Sequence, residues 1–233
     1  MGITGHFKMF VMILTIIFIH ECGHILMAYI LRWKIVKVNI LPLGAVTIFD
    51  VDINKPIWEE FLIALMGPLV QIVFTCFVFP PEMRIYSMMI LGFNLLPIFP
   101  LDGSKFLNLF LNKITSFRNS LIFTLDISFL FLVLIIFKSN FNLILILVIS
   151  FILGKIITEY RGRNEIFNRF LLERFTKRYR FSRLKIIRGM DTKKMKRDFR
   201  HIFKDKKRCF SEREILLKRL SITWENVPKK SKH

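Results

Sequence analysis

The chain has 233 residues, of which 53% are hydrophobic, and it carries a formal net charge of +19 at pH 7. Its 26 Phe residues argue against an ordinary soluble globular protein. The hydrophobic residues lie mainly before residue 158, whereas residues 158–233 hold 25 Lys and Arg against 9 Asp and Glu. The sequence therefore predicts a membrane-embedded domain over residues 1–160 and a basic tail over residues 161–233.

Five apolar segments run along the membrane part of the chain. A helix needs about 20 apolar residues to cross the hydrocarbon core, and the first two segments meet that length. The third segment is short and is interrupted by Pro97. We therefore predict an all-α polytopic membrane protein with five transmembrane helices, at residues 7–31, 61–79, 85–99, 122–137 and 141–157.

Lys and Arg lie mainly in alternate loops, and this pattern predicts the orientation of the chain. The basic residues follow the first, third and fifth segments, and the other two loops carry little charge. With five spans, this pattern predicts that the N-terminus lies outside and that the tail is cytosolic. The basic loop residues are Arg32, Lys34, Lys37, Lys105, Lys113 and Arg118.

Residues 41–51 form a different kind of segment. They are too few to span the membrane, they are rich in β-branched residues, and they contain Pro42 and Gly44. This composition predicts a small β-hairpin or a re-entrant loop at the cytosolic interface.

The tail has apolar residues at helical spacing, including Phe167, Phe170 and Leu171. A basic amphipathic stretch close to a membrane span predicts a helix that lies on anionic lipid. The segment after Phe175 shows no clear paired strands. No nucleic-acid-binding module accompanies the charge, so we expect no direct contact with nucleic acid.

His20, Glu21 and His24 form an HExxH motif within the first apolar segment. Positions four residues apart share one face of a helix, so both imidazoles can reach one metal ion. Glu21 lies beside the first histidine, where it can accept a proton from a water that a zinc ion activates. Charged side chains at mid-bilayer cost about 2.5–3.5 kcal/mol each, so they need a partner or a wet cavity. A zinc site supplies both, and the alternative is a histidine pair hydrogen-bonded to neighbouring helices.

A catalytic zinc site needs a third protein ligand and an open fourth position. Asp102 is the best candidate, because two prolines and a glycine within residues 94–103 break the helix around it. In the predicted topology His20 and Asp102 both lie toward the cytosolic side, where a fold-back of the broken helix would join them. The alternative is an ordinary turn aspartate before Gly103.

The HExxH motif in one helix and the Asp-Gly pair in another resemble the site-2 protease family of intramembrane zinc metalloproteases. The similarity is greatest to the sporulation members of that family, and it covers residues 20–44, 58–71, 93–105 and 159–175.

This resemblance implies roles for particular residues. His20, His24 and Asp102 would bind Zn²⁺, and Glu21 would be the catalytic base. Asn94 would position the substrate or stabilise the oxyanion. In addition, Gly67-Pro68 would be the Gly-Pro element of the family.

The resemblance also implies a substrate and partners. The sporulation members remove the pro-sequence from a sigma factor precursor of the pro-sigma-K type, at the mother-cell membrane around the forespore. Membrane proteins of the BofA and SpoIVFA kind inhibit them. These members have six spans and end in a CBS domain, so we expect a degenerate CBS-like region in the tail. Either five spans suffice here or the start of the chain is misassigned. The sequence leaves open whether the chain forms a homo-oligomer.

Two other functions stay open beside regulated intramembrane proteolysis of a sigma factor precursor. The first alternative is the same proteolytic reaction with a membrane anti-sigma factor as the substrate. In a different class, the chain would be a non-catalytic scaffold or metal-binding protein of the membrane. Glu21 argues against that class, because scaffolding requires no base.

Overall fold

The computed structural model describes residues 2–33, 35–41, 44–49, 52–138, 143–177, 179, 181–205 and 208–225. Most of these residues are helical. In chain order, the helices and strands are α1 Gly2–Ile30, β1 Ile35–Leu41, β2 Gly44–Phe49, α2 Ile57–Phe77, α3 Pro81–Asn94, α4 Asp102–Ile114, α5 Phe117–Lys138, α6 Leu143–Thr176, β3 Arg183–Arg188, β4 Phe199–Asp205, β5 Arg208–Ser211 and α7 Glu212–Glu225.

Three of the described helices are long and apolar enough to cross a membrane. They are Phe7–Ile30 within α1, Ile57–Phe77 in α2 and Phe117–Lys138 in α5. The predicted fold class, a helical integral membrane protein with several spans, is thereby confirmed. The number of five spans stays a prediction.

The helix break predicted in the third apolar segment is present. α3 has only 14 residues and ends at Asn94, and α4 begins at Asp102. Between them, Ile98 and Leu101 are buried against residues of α5 and α6. This packing fixes the point at which the chain enters α4, and therefore fixes the position of Asp102.

β1 and β2 form the small hairpin that the sequence predicts near the cytosolic interface. They pair antiparallel, from Ile35 opposite Phe49 to Leu41 opposite Gly44. The hairpin therefore begins six residues earlier than the predicted range of 41–51.

The tail contains a three-stranded sheet, which corrects the expectation that it has no paired strands. β3 pairs with β4 in parallel, and β4 pairs with β5 antiparallel. The strands are short and basic, and only a few of their side chains are buried, among them Ile187 and Phe203. Because the exposed positions carry mixed charges and apolar residues, the alternation typical of a strand is weak in the sequence.

This sheet also corrects the prediction for the apolar face of α6. Phe167, Phe170 and Leu171 are buried in one cluster with Ile187 and Phe203 of the sheet. The prediction that this face lies on anionic lipid is wrong, because an apolar stripe at helical spacing can equally pack against a sheet. α6 runs unbroken through residue 160, and the division into two domains stays a prediction.

Charged side chains of the tail contact the start of α2. Arg197 Nη1 donates to Glu60 Oε2 at 2.7 Å, and its Nη2 donates to the Lys55 carbonyl oxygen at 2.9 Å. Asp198 Oδ2 accepts a hydrogen bond of 3.2 Å from the backbone N–H of Ile57. A carboxylate is favourable at this end of a helix, because it faces the positive end of the helix dipole. The tail therefore stabilises the first turn of α2.

A buried arginine connects the same two parts of the chain. Arg174 Nε donates to Asn54 Oδ1 at 2.6 Å, and its Nη1 donates to Glu212 Oε1 at 3.0 Å. These contacts join α6 to α7 and to the segment before α2. Removal of one partner of a buried ion pair typically lowers the free energy of unfolding by about 3–5 kcal/mol.

Candidate metal centre

His20 and His24 lie one turn apart on α1, and Asp102 is the first residue of α4. The Nε2 atoms of the two rings are 3.1 Å apart. Asp102 Oδ2 lies 2.8 Å from His20 Nε2 and 3.1 Å from His24 Nε2. All three side chains are buried, and among the described residues they form the one cluster of metal-binding side chains. The structure thus brings together the three ligands that the sequence predicts.

The contacts on the far side of each ring determine where its proton lies. Gln71 Nε2 donates to the Ser87 carbonyl oxygen at 2.8 Å, so its Oε1 faces His20 Nδ1 as an acceptor, at 2.7 Å. His24 Nδ1 lies 2.8 Å from the carbonyl oxygen of Ile63, which can only accept. Both Nδ1 atoms therefore carry a proton, so in each neutral imidazole the Nε2 atom directs a lone pair toward Asp102.

With both imidazoles neutral, two nitrogen lone pairs and a carboxylate oxygen thus converge on one point. Acceptors that lie 2.8–3.1 Å apart repel one another in a buried site, so a cation bound among them is strongly stabilised. Two imidazole nitrogens and one carboxylate oxygen are ligands that Zn²⁺ prefers, and they leave a fourth position open. With bonds of about 2.0–2.1 Å, tetrahedral zinc separates its ligands by about 3.3 Å, so a small outward shift of these side chains fits the ion.

Lys105 holds the second oxygen of Asp102. Its Nζ donates to Oδ1 at 2.8 Å, from one turn further along α4. Burial alone would raise the pKa of Asp102, but the positive charge of Lys105 holds that pKa well below its ordinary value. Asp102 is therefore ionised, with Oδ1 bound to the lysine and Oδ2 directed at the histidines.

Gly67 on α2 makes room for the ring of His24. A β carbon at this position would collide with the ring at Nε2, the atom that faces Asp102. Pro68 follows inside α2. The Gly-Pro pair noted in the sequence therefore has a steric reason at its first residue, because any larger side chain would displace a candidate ligand.

Glu21, the predicted base, is half-buried on α1 between the two histidines in sequence. It interacts electrostatically with both histidines, with Lys105 and with Asp102. Its role as the catalytic base stays a prediction.

Asn94, the predicted oxyanion donor, is the half-buried last residue of α3. The carbonyl oxygens of Leu95 and Leu96, which follow it, press against Gly103, where a β carbon would collide with both. The end of α3 and the start of α4 are therefore in close contact. In the described part of the chain, no hydrogen bond holds the Asn94 side chain.

Two residues of the centre are absent from the sequence prediction. Gln71 and Lys105 contact His20 and Asp102 directly, yet neither belongs to a recognisable metal-binding motif. One signal was available, because a lone Gln inside an apolar helix needs a polar partner within the membrane.

A histidine pair on one turn of a membrane helix, with a carboxylate from a second helix, defines the class of membrane metallopeptidases. Residues 8–81 match the family model of Peptidase family M50. The chain is similar to this family, that of the site-2 proteases, and the resemblance seen in the sequence is confirmed.

Particular relatives are similar over much of the chain. Stage IV sporulation protein FB of Bacillus subtilis (strain 168) is 33% identical over 195 residues, which are 74% of this chain and 66% of that protein. Zinc metalloprotease MJ0392 of Methanocaldococcus jannaschii is 28% identical over 161 residues, 62% of this chain and 47% of that protein. The chain thus spans just under two thirds of the first relative and about half of the second. A solved structure, the Site-2 Protease from Methanocaldococcus jannaschii, has 29% identity and a TM-score of 0.47 and covers 65% of this chain and 76% of that chain.

The steric role of Gly67 predicts that Gly67→Ala loses metal. The added methyl group displaces the His24 ring, so we expect the purified variant to hold well under half of the zinc that the unchanged chain holds, measured by mass spectrometry of the metal. Gly154→Ala is the matched control, because a β carbon there meets no atom within 4 Å. Full zinc content in both variants would contradict this role.

The contact with Gln71 predicts weaker metal binding in Gln71→Leu. His20 loses the acceptor that orients its ring, and loss of such an outer partner typically lowers metal affinity about 10–100-fold. A competition titration with a coloured chelator measures the change. Thr75→Val is the control: Thr75 Oγ1 bonds the Gln71 carbonyl oxygen and Ser87 Oγ but does not contact His20. A zinc affinity of Gln71→Leu equal to that of the unchanged chain would show that Gln71 does not position the ring.

Proposed function

We propose that the chain is a zinc metalloendopeptidase that hydrolyses a peptide bond within or beside the membrane. The observation that carries the proposal is the convergence of His20 Nε2, His24 Nε2 and Asp102 Oδ2 within 3.1 Å, next to Glu21. The match to Peptidase family M50 and the relative named as a zinc metalloprotease support the same chemistry. When bound, Zn²⁺ supplies a Lewis acid that polarises a carbonyl group and lowers the pKa of water.

Residues of the chain carry out the other parts of the reaction. Glu21 takes a proton from the attacking water and then gives it to the leaving amide nitrogen. Lys105 keeps Asp102 ionised while charge builds up in the site. Asn94 donates an N–H to the substrate oxygen as negative charge develops on it, and no described side chain competes for that donor.

The β1–β2 hairpin offers a way to hold the substrate. A helical substrate hides its peptide bonds, so a segment must unwind before it can be cut. Each strand of the hairpin pairs with the other, and in the described part of the chain each has a second edge with no strand beside it. An extended segment that adds to such an edge gains main-chain hydrogen bonds, as in other cases of strand addition.

For the substrate, we propose a sigma factor precursor of a sporulating bacterium, cut at the cytosolic face of the mother-cell membrane. The relative named as a stage IV sporulation protein supports this choice. Inhibitory membrane proteins of the BofA and SpoIVFA kind would be partners. The basic tail would attract an acidic, soluble substrate to the membrane surface. A membrane anti-sigma factor is the second candidate.

Glu21→Gln tests the proposed reaction. The amide cannot accept the proton from water, so cleavage should fall at least about 100-fold while the zinc content stays unchanged. The assay co-expresses the chain with a candidate sigma factor precursor and follows the size of the precursor on a gel. A reporter built on a membrane anti-sigma factor runs in parallel and separates the two substrate candidates.

Glu82→Gln is the matched control for this experiment. Glu82 is an exposed carboxylate that pairs with Lys8 and has no contact with the metal centre. The Glu82→Gln variant should cleave the precursor as the unchanged chain does. Normal processing of the precursor by Glu21→Gln would end the assignment as a protease.

A further inference from the structure

A cavity of about 130 Å³ adjoins the metal centre on the side of α4. It lies between the first turn of α2 and the helices α4, α5 and α6. Phe99, Leu121 and Leu125 contribute an apolar part of its wall. Its charged and amide side chains are Glu60, Lys105, Asn108, Glu159 and Arg163.

Three of these polar side chains already have partners. Glu60 accepts from Arg197 at 2.7 Å, and Lys105 donates to Asp102 at 2.8 Å. Asn108 Nδ2 donates to the Thr124 hydroxyl at 3.1 Å. Each of these three side chains therefore has at least one hydrogen-bond partner within the protein.

Arg163 differs from these three. Its guanidinium lies over the ring of Tyr160, 3.9 Å from the centroid. Its Nη1 is buried and has no acceptor among the described residues. An arginine cannot lose its charge, and a buried N–H without an acceptor is unfavourable, so a ligand that brings an acceptor oxygen would be stabilised here.

Glu159 lies one turn before Arg163 on α6 and also lines the cavity. In the described part of the chain it forms no ion pair with Arg163 or with any other cation. The cavity wall thus offers a donor for a carboxylate and, beside it, an acceptor for an N–H. An acidic residue within an extended peptide carries both complementary groups.

The cavity is also placed to receive a peptide. Ser104 and Lys105 line it, and they follow Asp102 by two and three residues on α4. A peptide whose reacting carbonyl lies at the metal centre would have its neighbouring residues close to this wall. The charge of the tail, with 25 Lys and Arg against 9 Asp and Glu in residues 158–233, favours an acidic ligand on this side.

We propose that this cavity is a carboxylate-binding subsite for the polypeptide substrate and that Arg163 determines its specificity. The inference rests on the proposed function and adds a feature of the substrate to it. The carboxylate is either the side chain of an acidic residue close to the cleaved bond or the new C-terminus of the product. An Arg–carboxylate contact can form two parallel hydrogen bonds, which gives it geometric selectivity as well as charge.

Peptide binding to the Glu21→Gln chain tests this proposal, because that variant reports binding whether or not the protein cleaves. The full chain is loaded with zinc in nanodiscs of neutral lipid. Three fluorescent heptapeptides are titrated and followed by anisotropy. The first has a central Glu and the second a central Gln, both with blocked ends, and the third has the central Gln with a free C-terminal carboxylate.

We expect the first or the third peptide to bind at least about tenfold more tightly than the second, the ratio expected for a charge-assisted hydrogen bond. Preference for the first identifies an acidic side chain as the ligand, and preference for the third identifies the product end. Arg163→Gln should abolish the preference and leave binding of the second peptide unchanged. Arg161→Gln, on the exposed face of the same helix, should retain it.

Equal binding of all three peptides, or a preference that survives Arg163→Gln, would overturn the subsite. Arg163→Lys provides a second test, since it keeps the charge but loses the planar pair of donors, and a preference of intermediate size is expected. Failure of the proposed function would give a different result. The Glu21→Gln variant would then bind the peptides with the expected preference, but the chain with Glu21 intact would not cleave the precursor.

Discussion

Two imidazole lone pairs and a carboxylate oxygen meet in the interior of this protein, and each is an acceptor. A cation relieves their mutual repulsion, and the protein must hold the three groups close enough together to share it. The protein does this through hydrogen bonds on the outer side of each group. Gln71 holds His20, the Ile63 carbonyl oxygen holds His24, and Lys105 holds Asp102. Gln71 and Ile63 are buried, so water does not compete for the two contacts that hold the histidines.

The surrounding helices also hold the three candidate ligands in position. α2 supplies both outer partners of the histidines and, at Gly67, the space for one of the rings. The tail contacts the start of α2 through Arg197 and Asp198, so the basic region at the end of the chain supports the helix that orients the ligands. The break after α3 leads to Asp102 at the first turn of α4, where Lys105 follows on the same face. The cavity beside Lys105 then extends the site toward α6 and Arg163.

The sequence predicts the parts of this arrangement that follow a fixed spacing. His20 and His24 are four residues apart on an evident membrane helix. Asp102 follows a helix break that two prolines in the sequence predict. Gln71 has no such spacing, because its partner is separated from it by 51 residues and the helix crossing that joins them depends on packing. The structure of the tail differs from its prediction for a related reason. Phe167 and Phe170 show the helical period of an apolar face, but the period does not reveal whether lipid or a sheet covers that face. The short basic strands that cover it show little alternation of their own.

X-ray absorption at the zinc edge tests the convergence of these three ligands most directly. Purified, zinc-loaded chain should show only nitrogen and oxygen neighbours, at about 2.0–2.1 Å, with the outer-shell signal of two imidazole rings. Cys22 lies between the two histidines in sequence and is the nearest competitor for the metal. A sulfur neighbour at about 2.3 Å, or the signal of a single imidazole, would contradict a centre formed by His20, His24 and Asp102.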